Sequence, residues 1–177
     1  MGRPKALLEI DGETFLDHQI GNFLGICEPI IVVLGFWAEE IRPRIPAGIE
    51  SVLNPAPERG MITSLQSGLA ACAMAEHVLF TPVDLPQVKR ATVERLATVR
   101  HGELVMPCYK GHCGHPVRVS RAIANELIAA PAHAQAREVL KSHRSQTHLL
   151  AVNDPGIRRD VDTPEQYAAL LRSGAAK

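Results

Sequence analysis

The sequence lacks an excess of charge of either sign. Its 177 residues include 19 basic and 19 acidic side chains, so the formal net charge is zero. Proteins that attract nucleic acids or anionic membranes usually carry a clustered basic surface. The mixed charge distribution of this chain does not indicate such a surface. We therefore expect a small-molecule partner, with no nucleic acid and no membrane.

Long apolar segments and dense cysteine patterns are also absent. No apolar run approaches the roughly 20 residues that span a bilayer, and the first residues do not follow the pattern of a signal peptide. The four cysteines, Cys27, Cys72, Cys108 and Cys113, are scattered through the chain, which favours reduced thiols over disulfides. Together these features predict a cytoplasmic protein.

Helical and strand patterns alternate along the chain, without repeats or low-complexity tracts, and we expect a single domain over residues 1–177. TFLDHQIGNFLG and MITSLQSGLAACAMA have the spacing of helices. EPIIVVLG is an unbroken apolar run typical of a strand buried on both faces, and HVLFTPVD is another apolar strand that ends at a carboxylate. Thr163, Pro164 and Gln166 are typical of a helix start. The alternation predicts an α/β three-layer sandwich with a mostly parallel sheet, whose ligands bind beyond the carboxyl ends of strands.

Three carboxylates follow predicted strands or extended segments. Asp84 ends the apolar run VLFTPV, while Asp160 and Asp162 are two residues apart and project to the same side of an extended segment. Mg²⁺ binds through one or two protein carboxylates together with substrate phosphates, and Arg3 and Lys5 are candidates for neutralising phosphate charge. The structural alternatives are a turn or helix cap for the acidic residues and solvated terminal charges for the basic ones.

A second cluster of metal-ligand types occurs in CYKGHCGHP. It contains Cys108, His112, Cys113 and His115 within eight residues. Adjacent residues rarely serve one tetrahedral site, and the spacing departs from the usual gap of two residues between paired zinc ligands. A structural zinc site is therefore the less favoured interpretation of this segment.

Five segments, taken in order, carry a family resemblance: MGRPKALLEIDGE, NPAPERGMITSLQSGLA, LFTPVDLPQV, GHCGHPVRVSRAIANEL and RDVDTPEQYAAL. This order resembles the MobA-like nucleotidyltransferases, and within that group most closely the molybdenum cofactor cytidylyltransferases. The resemblance implies a Rossmann-like fold of the nucleotide-diphospho-sugar-transferase type. The family places a strand and an LAAGxSxR loop before MGxxK, and this sequence begins at the MGxxK motif.

This departure implies a sheet that lacks the family's usual first strand and a nucleotide site that lacks its glycine-rich loop. We expect that the start codon is misassigned and that Met1 corresponds to the internal methionine of the family motif. The alternatives are a sheet rebuilt with another segment or a partner chain, which would leave a binding module without turnover, and a fragment without function.

The resemblance also implies roles for individual residues. Lys5 and Asp84 are the expected catalytic residues, with Lys5 on the nucleotide phosphates and Asp84 on Mg²⁺. Either Asp160 or Asp162 is the expected second metal ligand. The remaining matches comprise a nucleotide-binding set, which is Gly2, Arg3, Asn54, Gly60, Met61, Ser64 and Leu65, and an acceptor-binding set, which is Gly114, His115 and Pro116.

The expected reaction is Mg²⁺-dependent transfer of a nucleoside monophosphate to a phosphorylated cofactor precursor. By resemblance, the donor is CTP, the transferred group is CMP and the acceptor is molybdopterin, in molybdenum cofactor biosynthesis. Such a reaction depends on positioning and charge neutralisation and requires no nucleophilic Ser or Cys. The alternative is a non-catalytic nucleotide- or cofactor-binding protein of the same family that delivers its ligand to a molybdoenzyme.

Overall fold

Residues 2–174, which the computed structural model describes, form seven α-helices and nine β-strands. Met1 of the MGxxK match lies outside this range. The helices are α1 (Phe15–Phe23), α2 (Ala38–Ile41), α3 (Met61–Ala71), α4 (Arg90–Thr98), α5 (Arg121–Ala129), α6 (Ala136–Ser142) and α7 (Pro164–Gly174). The strands are β1 (Glu9–Ile10), β2 (Glu13–Thr14), β3 (Ile31–Leu34), β4 (Glu50–Leu53), β5 (His77–Phe80), β6 (Leu104–Tyr109), β7 (His112–Cys113), β8 (Val117–Ser120) and β9 (Thr147–Ala151).

The strand pairing is mixed. β3 and β4 form a parallel pair, and β1 and β2 form a small antiparallel one. In the larger sheet β8 pairs antiparallel with both β5 and β6, β9 pairs parallel with β6, and β7 forms a hairpin with the end of β6. β5, β6 and β9 therefore run in one direction and β8 in the other. The α/β class is confirmed, and the sheet is mixed rather than mostly parallel because the chain turns back through β8.

β3 and β5 lie in one layer between two groups of helices. Val32 of β3 packs with α1, while the neighbouring Val33 lies against Gly68 of α3. In β5, Leu79 packs with α1 and α4, and Phe80 packs on the cluster formed by α3 and α5. Within residues 2–174, no strand hydrogen-bonds to the second edge of β3 or β5. This layering is the three-layer arrangement that the sequence predicts.

The open strand edge explains one wrong prediction. EPIIVVLG predicts a strand that is buried on both faces, yet only Leu34 of β3 is fully buried. Ile31, Val32 and Val33 are half-buried. A strand loses full burial when one of its edges has no neighbour, because side chains of an adjacent strand normally complete the cover.

The last helix begins where its capping signals predict. The backbone N–H of Gln166 donates to Thr163 Oγ1 at 3.2 Å, and Gln166 Oε1 accepts from the backbone N–H groups of Thr163 and Asp162 at 2.8 and 2.7 Å. These reciprocal bonds form a capping box. They also fix the backbone of Asp162, which directly precedes the helix. The residues before it form a 3₁₀ turn, Pro155–Arg158, followed by an irregular segment.

Two of the four cysteines are bonded to each other. A disulfide joins Cys108 and Cys113 across the β6–β7 hairpin, whereas Cys27 and Cys72 are free thiols. The prediction of reduced thiols is therefore wrong for the first pair. The physical reason is the turn between these cysteines, which brings them into register on paired strands. No helix within residues 2–174 is long and apolar enough to cross a membrane.

Candidate active site

The side chains of Lys5, Asp84 and Asp162 meet at the carboxyl end of β5. Lys5 Nζ lies 3.1 Å from Asp84 Oδ2 and also donates a hydrogen bond to Asp162 Oδ1. The side chains of Lys5 and Asp84 are 29% and 23% exposed, so the contact is partly shielded from water, while Asp162 is 52% exposed. Three segments that are far apart in sequence thus converge on one ammonium group.

The backbone holds this group in place. Lys5 begins a short 3₁₀ turn after Pro4. Asp84 follows β5, and its carbonyl oxygen accepts the Val161 N–H at 2.9 Å. This bond places the segment that carries Asp162 alongside the turn that carries Asp84. The arrangement agrees with the rule that ligand sites of α/β sheets lie beyond the carboxyl ends of strands.

The charges in the group reinforce each other. Partial burial lowers the pKa of Lys5, but hydrogen bonds and charges from Asp162 and Asp84 outweigh that effect and leave the pKa above its ordinary value. The hydrogen bond from Lys5 is the main reason that the pKa of Asp162 lies below its ordinary value. Lys5 and Asp162 are therefore both charged at neutral pH.

The carboxylates provide a donor set that fits a hard divalent cation. Mg²⁺ prefers oxygen ligands and needs only one or two protein carboxylates when phosphates supply the others. Asp84 and Asp162 approach the same ammonium group, and Asp160 lies close enough to hydrogen-bond Asp162. Within the described range, no three His, Cys, Asp or Glu side chains form a group that could hold a metal ion. Metal binding by these aspartates remains a prediction.

A second predicted group surrounds the buried side chain of Asn54. Its Nδ2 donates to Thr63 Oγ1 and to Ser64 Oγ, both at 2.9 Å, and its Oδ1 accepts the Ala56 N–H at 2.9 Å. Asn54 is only 2% exposed, so these bonds fix the loop between β4 and α3. Asn54 therefore stabilises this loop through hydrogen bonds made on its buried side.

The residues at the start of α3 face different surroundings. Gly60 has φ +99°, a conformation that favours glycine, and it leads directly into the helix. The Met61 side chain is 72% exposed. Leu65 packs against the core cluster between α3 and α5. Of the predicted nucleotide-binding residues in this helix, Met61 is therefore open to a ligand and Leu65 supports the helix from below.

The segment Gly114–His115–Pro116 is anchored from both sides. The Gly114 N–H donates to Pro107 O at 3.0 Å, and the His115 N–H donates to Ile157 O at 2.9 Å. A Cβ on Gly114 would lie 2.0 Å from Ile157 O, so the segment fits only with glycine at this position. The peptide bond between His115 and Pro116 is cis.

The His115 ring packs edge-on against Phe80, with 5.9 Å between ring centroids. Burial lowers the pKa of His115, although a hydrogen bond to the Phe80 carbonyl and the charge of Asp84 act in the opposite direction. The net effect favours the neutral imidazole at pH 7. The structure thus places the predicted acceptor-side residues next to the strand that leads to Asp84.

The remaining N-terminal residues are exposed. Gly2 has φ +68°, and the Arg3 side chain makes no hydrogen bond or ion pair with any part of residues 2–174.

A cavity of about 450 Å³ lies outside the predicted set, between Asp11, His18, Lys89 and Arg159. Composition and motifs give no signal for this cavity, because it forms between loops that are distant in sequence.

Comparison with known proteins identifies a family. The model of the MobA-like NTP transferase domain matches residues 1–147. The molybdenum cofactor cytidylyltransferase of Escherichia coli strain K12 is 27% identical over 169 residues, which cover 94% of this chain and 86% of that enzyme.

Solved structures show the same fold. Rv0371c from Mycobacterium tuberculosis has a TM-score of 0.82 and 27% identity, covering 97% of this chain and 91% of its own. Its complex with manganese has a TM-score of 0.78 at 28% identity, covering 96% and 92% of the two chains. A nucleotidyl transferase from Methanothermobacter has a TM-score of 0.83 at 18% identity, covering 97% and 85%. The fold is thus that of nucleotide-diphospho-sugar transferases, as the family resemblance implies.

Proposed function

Because this chain belongs to the MobA-like NTP transferase family, a family of nucleotidyltransferases, we propose that it transfers CMP from CTP to the phosphate of molybdopterin. The choice of base and acceptor is supported by the similarity to a molybdenum cofactor cytidylyltransferase. The proposed role lies in molybdenum cofactor biosynthesis.

The convergence of Lys5, Asp84 and Asp162 is the observation that carries this proposal. In nucleotidyl transfer, a phosphate oxygen of the acceptor attacks the α-phosphorus of the nucleotide and pyrophosphate leaves. The transition state spreads negative charge over phosphate oxygens, so fixed positive charge near them accelerates the reaction. Lys5, held by two aspartates at the edge of the sheet, is positioned to supply that charge.

Asp84 and Asp162 are the proposed ligands of a divalent cation, with Asp160 beside them. The manganese complex of a relative at 28% identity supports a divalent ion in this fold. When bound, such an ion neutralises phosphate charge and helps pyrophosphate to leave. In the absence of phosphate, Lys5 compensates the two carboxylates, and we expect its ammonium group to turn towards the phosphates when nucleotide binds.

The two neighbouring segments are proposed to select the substrates. The loop that Asn54 stabilises, together with Met61, is proposed to receive the base of the nucleotide. Gly114 and His115 are proposed to contact the acceptor. The one N–H of the neutral imidazole, on Nδ1, faces Phe80 O, so Nε2 is proposed to accept a hydrogen bond from the acceptor. Hydrogen bonds to backbone groups anchor both segments, which favours precise positioning of the reacting groups.

Pyrophosphate release tests this proposal. Purified protein is incubated with molybdopterin, Mg²⁺ and either CTP, GTP or ATP, and we expect release that depends on acceptor and is fastest with CTP. Asp84→Asn, which removes charge but keeps shape, is expected to reduce the rate about 100-fold or more. Glu39→Gln, at an exposed position of α2, is the matched control and is expected to retain full activity.

The same assay distinguishes the proposed enzyme from the alternative, a non-catalytic binding protein. A protein that binds CTP but releases no pyrophosphate with any acceptor would be a non-catalytic binding protein. Equal rates for the wild type and Asp84→Asn would remove Asp84 from the site. Faster release with GTP than with CTP would contradict the proposed base and leave the family assignment intact.

A further inference from the structure

The β6–β7 hairpin places two cysteines opposite each other. Its turn consists of Lys110 and Gly111, both with positive φ, which is the geometry of a two-residue hairpin turn. In this register Tyr109 pairs with His112, and Cys108 pairs with Cys113. The disulfide therefore links directly facing residues of paired strands, so the pair needs no rearrangement of the hairpin to form.

The disulfide is continuous with the acceptor side of the candidate active site. Cys113 directly precedes Gly114, whose N–H donates to Pro107 O, the residue before Cys108. The Cys108 carbonyl oxygen accepts the Val152 N–H at 2.9 Å, which ties the hairpin to β9. The backbone N–H of the next residue, His115, donates a hydrogen bond to Ile157 O. Any loosening of the hairpin is thus transmitted to Gly114 and His115 through the chain itself.

The other two cysteines lack these properties. Cys27 and Cys72 are free and have no facing cysteine. Burial raises the pKa of both thiols, which lowers the fraction of reactive thiolate. Cys108 and Cys113 are half-buried and lie beside an exposed hairpin tip, where a small thiol or disulfide reagent can approach. The chain therefore contains one pair suited to reversible oxidation.

We propose that Cys108 and Cys113 are a reversible thiol–disulfide modification site that controls the order of the Gly114–His115 segment. The oxidant is a low-molecular-weight disulfide such as glutathione disulfide. One cysteine thiolate attacks it and releases one glutathione thiolate; the second cysteine thiolate attacks the mixed disulfide and releases the other. One S–S bond breaks and one forms, and two electrons pass from the protein to glutathione, whose thiolates take up the protons.

Alkylation and amide hydrogen exchange test the proposal without any assay of turnover. The full chain is reduced with dithiothreitol, reoxidised with glutathione disulfide, alkylated and examined by mass spectrometry. We expect four alkylated cysteines in the reduced form, and only Cys27 and Cys72 in the oxidised form. Amide exchange in residues 107–116 is expected to be about tenfold slower when oxidised, because the disulfide closes a short loop.

Two variants give the controls. The double variant Cys108→Ser and Cys113→Ser is expected to exchange like the reduced protein under both conditions. The double variant Cys27→Ser and Cys72→Ser is expected to keep the full response. Circular dichroism of each variant establishes that it is folded before its exchange is compared.

Several outcomes would overturn the inference. These are stable glutathione adducts in place of the internal disulfide, a disulfide that dithiothreitol does not reduce in the folded protein, and equal exchange of residues 107–116 in both redox forms. The activity readout rests on the proposed function: reduction is expected to raise the KM for the acceptor and leave that for CTP unchanged. If no form of the protein transfers CMP but the exchange response is present, the proposed function fails and this inference stands.

Discussion

Substitution of Gly114 by alanine tests how tightly the acceptor-side segment is packed. A Cβ at this position would lie 2.0 Å from Ile157 O, whereas ordinary contact begins at 3.4 Å. The two segments must therefore separate by about 1.4 Å, the difference between these distances. A shift of that size breaks the 2.9 Å bond from the His115 N–H to Ile157 O.

The cost follows from these two effects. Overpacking in a well-packed region costs about 1–3 kcal/mol, and loss of one hydrogen bond adds about 1 kcal/mol. We expect Gly114→Ala to lower the free energy of unfolding by about 2–4 kcal/mol, on the sum of those two contributions. Since the displaced residue is His115, we also expect a higher KM for the acceptor.

Urea denaturation followed by circular dichroism measures this change, under one fixed redox condition so that the nearby disulfide does not vary. Gly21→Ala is the matched control. Gly21 lies within α1 with no atom within 4 Å of the added Cβ, and we expect it to stabilise the protein by about 0.5–1 kcal/mol. A Gly114→Ala protein within about 0.5 kcal/mol of the wild type would refute the packing described here.

Three further predictions concern individual side chains. Lys5→Met is expected to raise the pKa of Asp162 towards its ordinary value, and an NMR titration that finds no change would contradict the contact. Asn54→Ala is expected to lower the free energy of unfolding by about 2–3 kcal/mol, since the Ala56 N–H and the Thr63 and Ser64 hydroxyls lose their buried hydrogen-bond partner. Urea denaturation measures this change, and Asn153→Ala, at an exposed position, is expected to cost nearly nothing. Because burial lowers the pKa of His115 in the folded state, its contribution to stability is complete above the ordinary histidine pKa and is lost as the pH falls through the lowered value. His115→Gln should flatten that pH dependence in urea denaturation, and an unchanged profile would rule out His115 as its source.

Local signals in the sequence predicted the elements that depend on neighbouring residues. The start of α7 is an example, because Thr163 and Gln166 hydrogen-bond to each other across the first turn and proline is favoured at the first helical position. Local signals do not predict the direction in which β8 runs relative to its neighbours. The four residues of β8, VRVS, are equally compatible with a parallel and an antiparallel strand, and the pairing of β8 depends on contacts with β5 and β6 that are distant along the chain.

The candidate site was predicted residue by residue but not in its contacts. Lys5, Asp84 and Asp162 were each expected from motifs, whereas the bridge between them joins residues 79 and 157 positions apart. Spacing alone does not determine such distances. The disulfide between Cys108 and Cys113 did have a local signal, the Lys110–Gly111 turn between the cysteines, because a two-residue turn sets the facing pairs on both sides of it.

Transfer of label from CTP to the acceptor tests the central claim most directly. The protein is incubated with molybdopterin, Mg²⁺ and CTP labelled at the α-phosphate, and the products are separated by chromatography. The account predicts that the label appears in a molybdopterin cytosine dinucleotide together with one pyrophosphate, and that Asp84→Asn lowers the rate of both about 100-fold or more. Label that remains in CTP, or that appears in the dinucleotide equally with Asp84→Asn, would contradict it.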